Sequence, residues 1–547
     1  MEIININDFF DFDNHSPINR IAYTEEDAKY KLTCIKAMQD LGMKISIDKV
    51  GNICGTFSGN HVKNKSLVIG SHTVSVLDGG QFDGPVGVYM ALKAAENFKE
   101  NNIKQYGNLK VIIYACEEST RFSKACLGSY YLSDTLTYDE LINLKDKKGI
   151  SFENAVFSYK QYISSHLKDY GINPENLQYV DKILEAKEIS EAIESHIEQA
   201  QVLTDSNNSI GIVDSISKPL RGTITINGKN SIVSASKIIK DLNTLAKHSN
   251  FNSSEETLRI TIPQFDSNII NSTEENSKAK KYTTPLDGGI LLNIDVIGQN
   301  DHSGAAPMDK RQDAVLGLAN LILKLENLQN QNPNMHFDFL GSSTKKWGAN
   351  QIQNHANLVL KINSPEFLEI IKSLAKDVQN EDNVSFEINP TNEVTVTETP
   401  FSKLFVDVRQ QYPICKEETR EQLYSVFKTI QHNNNFKSDS ISFKISSTGN
   451  PIQTTPELLE NIKQICDKKN YPCMVLHSWP GHDLACVLDP NHTIGKKILF
   501  FIPSTGGSHN PNESTTKKDI EIGTDVYSTL VSQRMNKFRD DYERNIR

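Results

Sequence analysis

The segment from Pro219 to Ser446 constrains the fold most, because it reads as four successive strand–helix–strand units. The first runs through Arg221–Ile226, Ser236–Ala246 and Thr257–Ile262, and the second through Ile290–Ile297, Arg311–Leu325 and Met335–Leu340. The third runs through Asn357–Ile362, Glu366–Val378 and Val384–Ile388, and the fourth through Lys403–Val408, Glu418–Ile430 and Ile441–Ile445. Asn/Ser-rich stretches such as Ser267–Asn276 and Asn327–Asn334 separate them. Two such units make one ferredoxin-like sandwich. Four predict two sandwiches, an internal duplication of pattern more than of residues.

The flanking sequence has a different rhythm. Between Glu25 and Met43, the spacing of Ala28, Leu32, Ile35 and Met38 predicts a helix that stops at Gly42. Lys44–Ile47 and Leu67–Gly70 read as strands, and a helix is expected to start near Pro85 with Val88 and Ala91 facing inward. Leu109–Cys116 is a β-branched run of the kind found in buried parallel strands. Residues 135–195 read as helices with connecting loops, and Ser478–Asp483 and Ile498–Glu513 as short strands and polar turns. This alternation predicts an α/β catalytic domain. It is discontinuous, formed by 1–216 and 448–547, with residues 217–447 inserted as an α+β lid of two ferredoxin-like subdomains.

Composition narrows the function by exclusion. The 547 residues carry a formal net charge of -10 with no dense basic stripe, which argues against a nucleic-acid or acidic-membrane partner. The opening MEIININDFFDFDNH lacks a cationic start followed by an apolar core, and no apolar run approaches the ~20 residues of a spanning helix. The eight cysteines are scattered without a CxxC pair, as expected of reduced, buried thiols. A cytoplasmic protein acting on a small molecule is the expectation.

Four polar clusters stand at the ends of predicted strands, where open α/β sheets build their sites. They are Gly70-Ser-His72 with Gly79-Gly-Gln-Phe-Asp83-Gly84, then Glu117-Glu118-Ser-Thr-Arg121-Phe122, Ser195-His196-Ile-Glu198-Gln199, and Gly507-Ser508-His509-Asn510-Pro511. Each has a bland reading on its own. A single histidine at a strand end is usually a satisfied polar residue, glycine pairs mark turns, and adjacent glutamates can cap a helix. Together they supply three histidines, an aspartate and a glutamate, a donor set suited to two divalent ions of the zinc, cobalt, manganese or nickel type. A carboxylate shared by both ions is the hallmark of two-metal hydrolases. Adjacent glutamates then divide the labour, one ligating and one meeting the water.

With these clusters in hand, the chain resembles the hydantoinase/carbamoylase amidase family, within the clan of zinc exopeptidases and aminoacylases. That family includes N-carbamoyl-L-amino-acid hydrolases, allantoate amidohydrolases and β-ureidopropionases. The resemblance covers most of the chain. It includes Ile18-Asn-Arg20-Ile-Ala-Tyr, Asp48-Lys-Val-Gly51-Asn52, the four clusters, His302-Ser-Gly-Ala-Ala-Pro307-Met-Asp-Lys-Arg311-Gln-Asp-Ala, Asp407-Val-Arg409 and Gly481-His482-Asp483. It implies a zinc-exopeptidase-like catalytic domain and two divalent metal ions per chain, zinc or manganese, cobalt or nickel. His72, Asp83, Glu118, His196 and His509 would be the metal ligands, with Asp83 bridging. Glu117 would be the general base for a water shared by the ions, and the catalytic His302 would bind both substrate and the developing oxyanion. Gln199 and Arg409 would contact substrate, Arg409 by pairing with a carboxylate. The alternative for Arg409 is a surface ion pair.

Several positions depart from the family. Val74 replaces an aspartate that normally orients the first histidine, a kind of loss that costs ~10–100-fold in metal affinity or activity. A weaker metal site is therefore expected, and Val74→Asp is expected to strengthen it. The last cluster is one residue shorter before Ser508, Ala200 replaces a usual glycine, and Val396 and Thr397 occupy the place of a lid asparagine. The expected activity is hydrolysis of a small linear amide or ureido compound. An aminoacylase or dipeptidase of the same clan shares the ligands and the base. A weakened, ligand-binding homologue is the reading that Val74 favours. The doubled insertion predicts a monomer in which a nested second lid takes the place of a partner subunit, against the alternative of a homodimer.

Overall fold

Residues Ile189–Ile197 form a strand, not the end of a helical stretch, and it lies in the middle of a ten-stranded sheet. Its polar residues hide it from the hydrophobic rhythm. Glu191 and Glu194 are buried, yet each has partners: Arg534 for Glu191, and Ser71 and the Leu484 amide for Glu194. The computed structural model describes residues 3–14, 16–60, 62–101, 106–217, 219–248, 258–267, 279–283, 289–304, 306–344, 351–397, 401–410, 440–447, 452–487 and 495–546. The chain divides into two units, Met1–Ser217 with Pro451–Arg547, and Lys218–Asn450.

In the first unit, four parallel strands are neighbours in the order Lys496–Ile502, Ile189–Ile197, Val62–His72 and Gly107–Tyr114. Ile53–Phe57 pairs antiparallel on one side, with Lys44–Ile47 antiparallel to it in turn, and Ile210–Ile216 pairs antiparallel on the other. Parallel central strands must be covered on both faces, so they are apolar almost throughout. Ile498 to Ile502, for example, are all buried. The helix Pro85–Glu100 starts with proline at its first position, where the missing N–H costs nothing. It buries Val86, Val88, Met90, Ala91 and Leu92, and the long helix Lys517–Ile546 packs beside it. Each of these side chains larger than alanine contributes about 1.5–3 kcal/mol by leaving water. No helix among the described residues is long and apolar enough to cross a membrane. The cysteines among the described residues are free thiols.

The second unit contains one eight-stranded sheet. Its strands are β1 (Leu220–Asn227), β2 (Leu258–Ser267), β3 (Ile290–Ile297), β4 (Phe337–Thr344), β5 (His355–Ile362), β6 (Ser385–Thr391), β7 (Phe401–Gln410) and β8 (Ser440–Ser447). Helices Ser231–His248, Ala314–Gln331 and Phe367–Asp382 link β1 to β2, β3 to β4 and β5 to β6. The expected helix Glu418–Ile430 lies outside the described residues. The strand order is β6-β3-β5-β4-β2-β7-β1-β8. It splits into two sets with the same internal order, fourth-first-third-second: β6-β3-β5-β4 from one continuous stretch, and β8-β1-β7-β2 from the segments on either side of it. The two sets meet through their second strands, β2 and β4, which pair antiparallel with Ser267 opposite Ser342. The helices that follow their first strands, Ser231–His248 and Ala314–Gln331, also pack together.

A candidate two-metal centre

Each of the four parallel strands delivers a potential ligand at its C-terminal end, on one edge of the sheet. His72 closes Val62–His72, and Glu117 and Glu118 follow Gly107–Tyr114. His196 is the last residue but one of Ile189–Ile197, and His509 lies in the loop after Lys496–Ile502. Asp83 comes from the turn before the helix at Pro85. All of them are buried. Asp83 Oδ1 is 3.2 Å from His196 Nε2, and Asp83 Oδ2 is 3.1 Å from His509 Nε2. Glu118 Oε1 is 3.2 Å from the same nitrogen of His509. The ligand atoms fall into two groups, His72–Asp83–His196 and Asp83–Glu118–His509, each within 4.8 Å and both containing Asp83.

The donor chemistry fits divalent ions. His72 Nδ1 lies 3.1 Å from the carbonyl oxygen of Val74, and His196 Nδ1 lies 3.0 Å from that of Ile197. A carbonyl only accepts, so each Nδ1 carries a proton, the tautomer in which a neutral ring presents a lone pair at Nε2. Burial pushes the pKa of His72 down to about 4, which keeps that ring neutral. Burial opposes charge on Asp83 as well, but the hydrogen bond from His509 outweighs it and holds the carboxyl well below the usual carboxylate range. The lone pairs of His72 and His196 thus face Asp83, an opposition of acceptors that a cation between them resolves. His509 differs: burial disfavours its charge, but Glu118 and Asp83 outweigh burial and raise its pKa well above the ordinary histidine value, so that its Nε2 donates to Asp83.

The surroundings fix these groups. Gly84 has a φ of 89°, and a Cβ there would sit 2.4 Å from the His72 ring, so the turn after Asp83 needs glycine both for conformation and for space. Glu513 was missed in the sequence. Its Oε1 accepts hydrogen bonds from the amides of Phe82 and Asp83, both at 2.9 Å, and its Oε2 accepts one from Ser508 Oγ at 3.4 Å. It ties the Asp83 turn to the His509 loop. Gln199 Nε2 donates to Asp83 Oδ1 at 2.8 Å and to Ser508 Oγ at 2.9 Å. Within Asp48-Lys-Val-Gly51-Asn52, the Asn52 side chain accepts from the Ala115 amide and donates to Gly128 O, bracing the strand end before Glu117. The ring of His482 packs edge-on against His196 with centroids 4.8 Å apart, and Asp483 accepts from Ser129 Oγ at 2.6 Å.

Glu117 stands beside this cluster with its two oxygens in different company. Oε2 is 3.8 Å from His72 Nε2, and Oε1 accepts from Cys126 Sγ at 3.3 Å. Burial, joined by the charges of Glu118, Asp483 and Asp83, raises its pKa well above the ordinary glutamate value.

His302 and Arg409 belong to the second unit. His302 is buried in a two-residue strand opposite Gln351, and its Nδ1 accepts from the Gly304 amide at 3.1 Å. That contact puts the proton of a neutral ring on Nε2, making it a donor. Arg409 on β7 is 2% exposed, so it is not a surface ion pair. Its Nε bonds Asp407 at 2.9 Å and its Nη2 reaches Ser303 Oγ at 3.3 Å. Arg311 holds the same loop, donating to the carbonyls of Ser303, Ala306 and Ile260 and to Thr261 Oγ1. The loop after β3 is therefore gripped by β2 and β7 of the other strand set.

The profile of peptidase family M20/M25/M40 matches residues 72–533. An uncharacterized hydrolase of Haemophilus influenzae is 24% identical over 518 residues, covering 94% of this chain and 93% of its own. An N-carbamoyl-L-amino acid amidohydrolase of Geobacillus stearothermophilus is 28% identical over 520 residues, covering 94% and 93%. A solved hydantoinase/carbamoylase family amidase from Burkholderia ambifaria superposes with a TM-score of 0.51 at 17% identity, over 95% of this chain and 92% of its own, and so has the same fold.

Proposed function

The chain belongs to peptidase family M20/M25/M40, and from that footing we propose that it hydrolyses a carbon–nitrogen bond in a small linear amide or ureido compound, of the N-carbamoyl amino acid or allantoate type. The observation that carries this reading is Asp83, which sits in both potential ligand groups with Glu117 beside them. His72, Asp83, Glu118, His196 and His509 would hold the two ions. Bound there, divalent ions would polarise the scissile carbonyl and lower the pKa of water toward ~7.

The chain's own residues do the rest. Glu117 takes the proton of the attacking water and delivers one to the leaving nitrogen. His302 donates from Nε2 to the carbonyl oxygen as negative charge develops on it. Arg409 offers a guanidinium to a substrate carboxylate, and Gln199 contacts substrate with an amide whose nitrogen is already fixed by Asp83 and Ser508. The Geobacillus relative, similar over nearly the whole chain, favours a carbamoyl substrate over the dipeptides of the wider family. An ammonia-release screen over N-carbamoyl-L-amino acids, allantoate and dipeptides tests this. Cleavage of dipeptides alone would replace the carbamoyl reading by a dipeptidase one.

We read the second unit as a duplicated ferredoxin-like lid. The support is the repeated fourth-first-third-second order of its two strand sets, one nested inside the other. The loop carrying His302 belongs to the inner set and is held by the outer one. An internal pair of this kind supplies within one chain the contact that two subunits would otherwise make, which favours a monomer.

A further inference from the structure

We propose that Cys126 is a positioning residue that aims the carboxylate of Glu117. The inference rests on Glu117 being the base. A base that must meet one water needs one oxygen held in place, and Glu117 is attached through single bonds that allow it to turn. Cys126 supplies the anchor. Its thiol, buried at 5% exposure, donates to Oε1 at 3.3 Å and leaves Oε2 on the His72 side.

The backbone delivers the thiol to that oxygen. The amides of Cys126, Leu127 and Gly128 donate to the carbonyls of Glu117, Cys116 and Ala115 at 2.8, 3.1 and 2.9 Å. This ladder sets Cys126 directly opposite Glu117. Cys126 has a φ of 56°, a left-handed conformation that a residue with a Cβ adopts only when its surroundings impose it. A glycine would occupy that backbone more easily but would carry no thiol. The neighbouring thiol of Cys486, burial and the carboxylates of Glu117 and Asp483 raise the Cys126 pKa well above the ordinary thiol value, so the sulfur keeps its proton.

The test uses Cys126→Ala, Cys126→Ser and Glu117→Gln in the full chain, loaded with zinc and assayed on N-carbamoyl-L-amino acids. Cys126→Ala is expected to lose kcat by on the order of tenfold, the worth of one hydrogen bond to a charged group, with KM and zinc content within about twofold of the parent. Cys126→Ser, whose hydroxyl still donates, is expected to recover most of that rate. Parent-like turnover in Cys126→Ala alongside an inactive Glu117→Gln would overturn the positioning role and leave the base intact. An active Glu117→Gln would instead overturn the base itself. Equal losses in both Cys126 variants, or losses that follow zinc content, would show that the residue only fills space. A crystal structure of zinc-loaded Cys126→Ala needs no substrate. The Glu117 carboxylate is expected in more than one orientation there, and a single unchanged orientation contradicts the proposal.

Discussion

The Nδ1 of His72 lies 3.1 Å from the carbonyl oxygen of Val74. A backbone acceptor two residues along thus makes the contact that an aspartate side chain at position 74 would make, and it fixes the same tautomer. This changes what Val74→Asp is expected to do. Val74 is fully buried, so a carboxylate there is desolvated at a cost of at least ~1–3 kcal/mol without a new task. The variant should melt at a lower temperature, with zinc affinity raised by less than about tenfold. A larger gain in affinity, measured by competition with a chelator, would restore the reading of Val74 as a defect.

The adjacent glutamates should separate cleanly. Glu117→Gln is expected to keep its metal and lose turnover by ~10²–10⁴-fold, the usual share of general acid–base catalysis. Glu118→Gln is expected to lose metal, because Glu118 shares the His509 nitrogen with Asp83. Metal content and kcat on the same preparations decide the matter, and a full rate in Glu117→Gln would mean that another group moves the proton.

Glu513 should prove as important to the metals as a ligand. Glu513→Ala strands the Phe82 and Asp83 amides, at about 1–3 kcal/mol for each buried donor left unpaired. It should also lower metal affinity by ~10–100-fold by freeing the Asp83 turn. Glu513→Gln keeps a carbonyl oxygen for those amides and should fall between the two. Unchanged affinity in Glu513→Ala would show that Gln199 alone can hold Asp83.

For the duplicated lid, the expected mass in solution is that of one chain, 61.4 kDa. Mixing inactive His302→Ala and Glu117→Gln chains should give no activity if, as proposed, each chain supplies its own histidine. A dimer whose mixed chains recover activity would show that His302 works between subunits.

What the sequence discloses, and what it does not, follows from the range of each interaction. His72, Glu117, Glu118, His196 and His509 were legible because strand ends place them by local rules, and the structure brings them together with Asp83. The four strand–helix–strand units were legible as pattern, although five helix or strand starts differ by two to five residues and Ile189–Ile197 was hidden by its paired glutamates. A nested second lid was expected, but which units lie inside which was not legible, since that depends on β2 pairing with β4 across the insertion. Glu513 and Cys126 gave no signal. One acts on a turn 430 residues away, and the other acts through a left-handed backbone that no residue type announces. The absence of aspartate at 74 was visible, but a carbonyl that replaces it has no letter in the sequence.

The most direct test of the two-metal centre is the metal content of the purified chain and of Asp83→Ala, measured by mass spectrometry after loading with zinc and removal of excess ion. Because Asp83 sits in both ligand groups, the parent should hold close to two ions per chain and the variant close to none, with the fold otherwise intact by circular dichroism. A parent that binds no zinc, or an Asp83→Ala chain that still holds both ions, would contradict the shared centre on which the account rests.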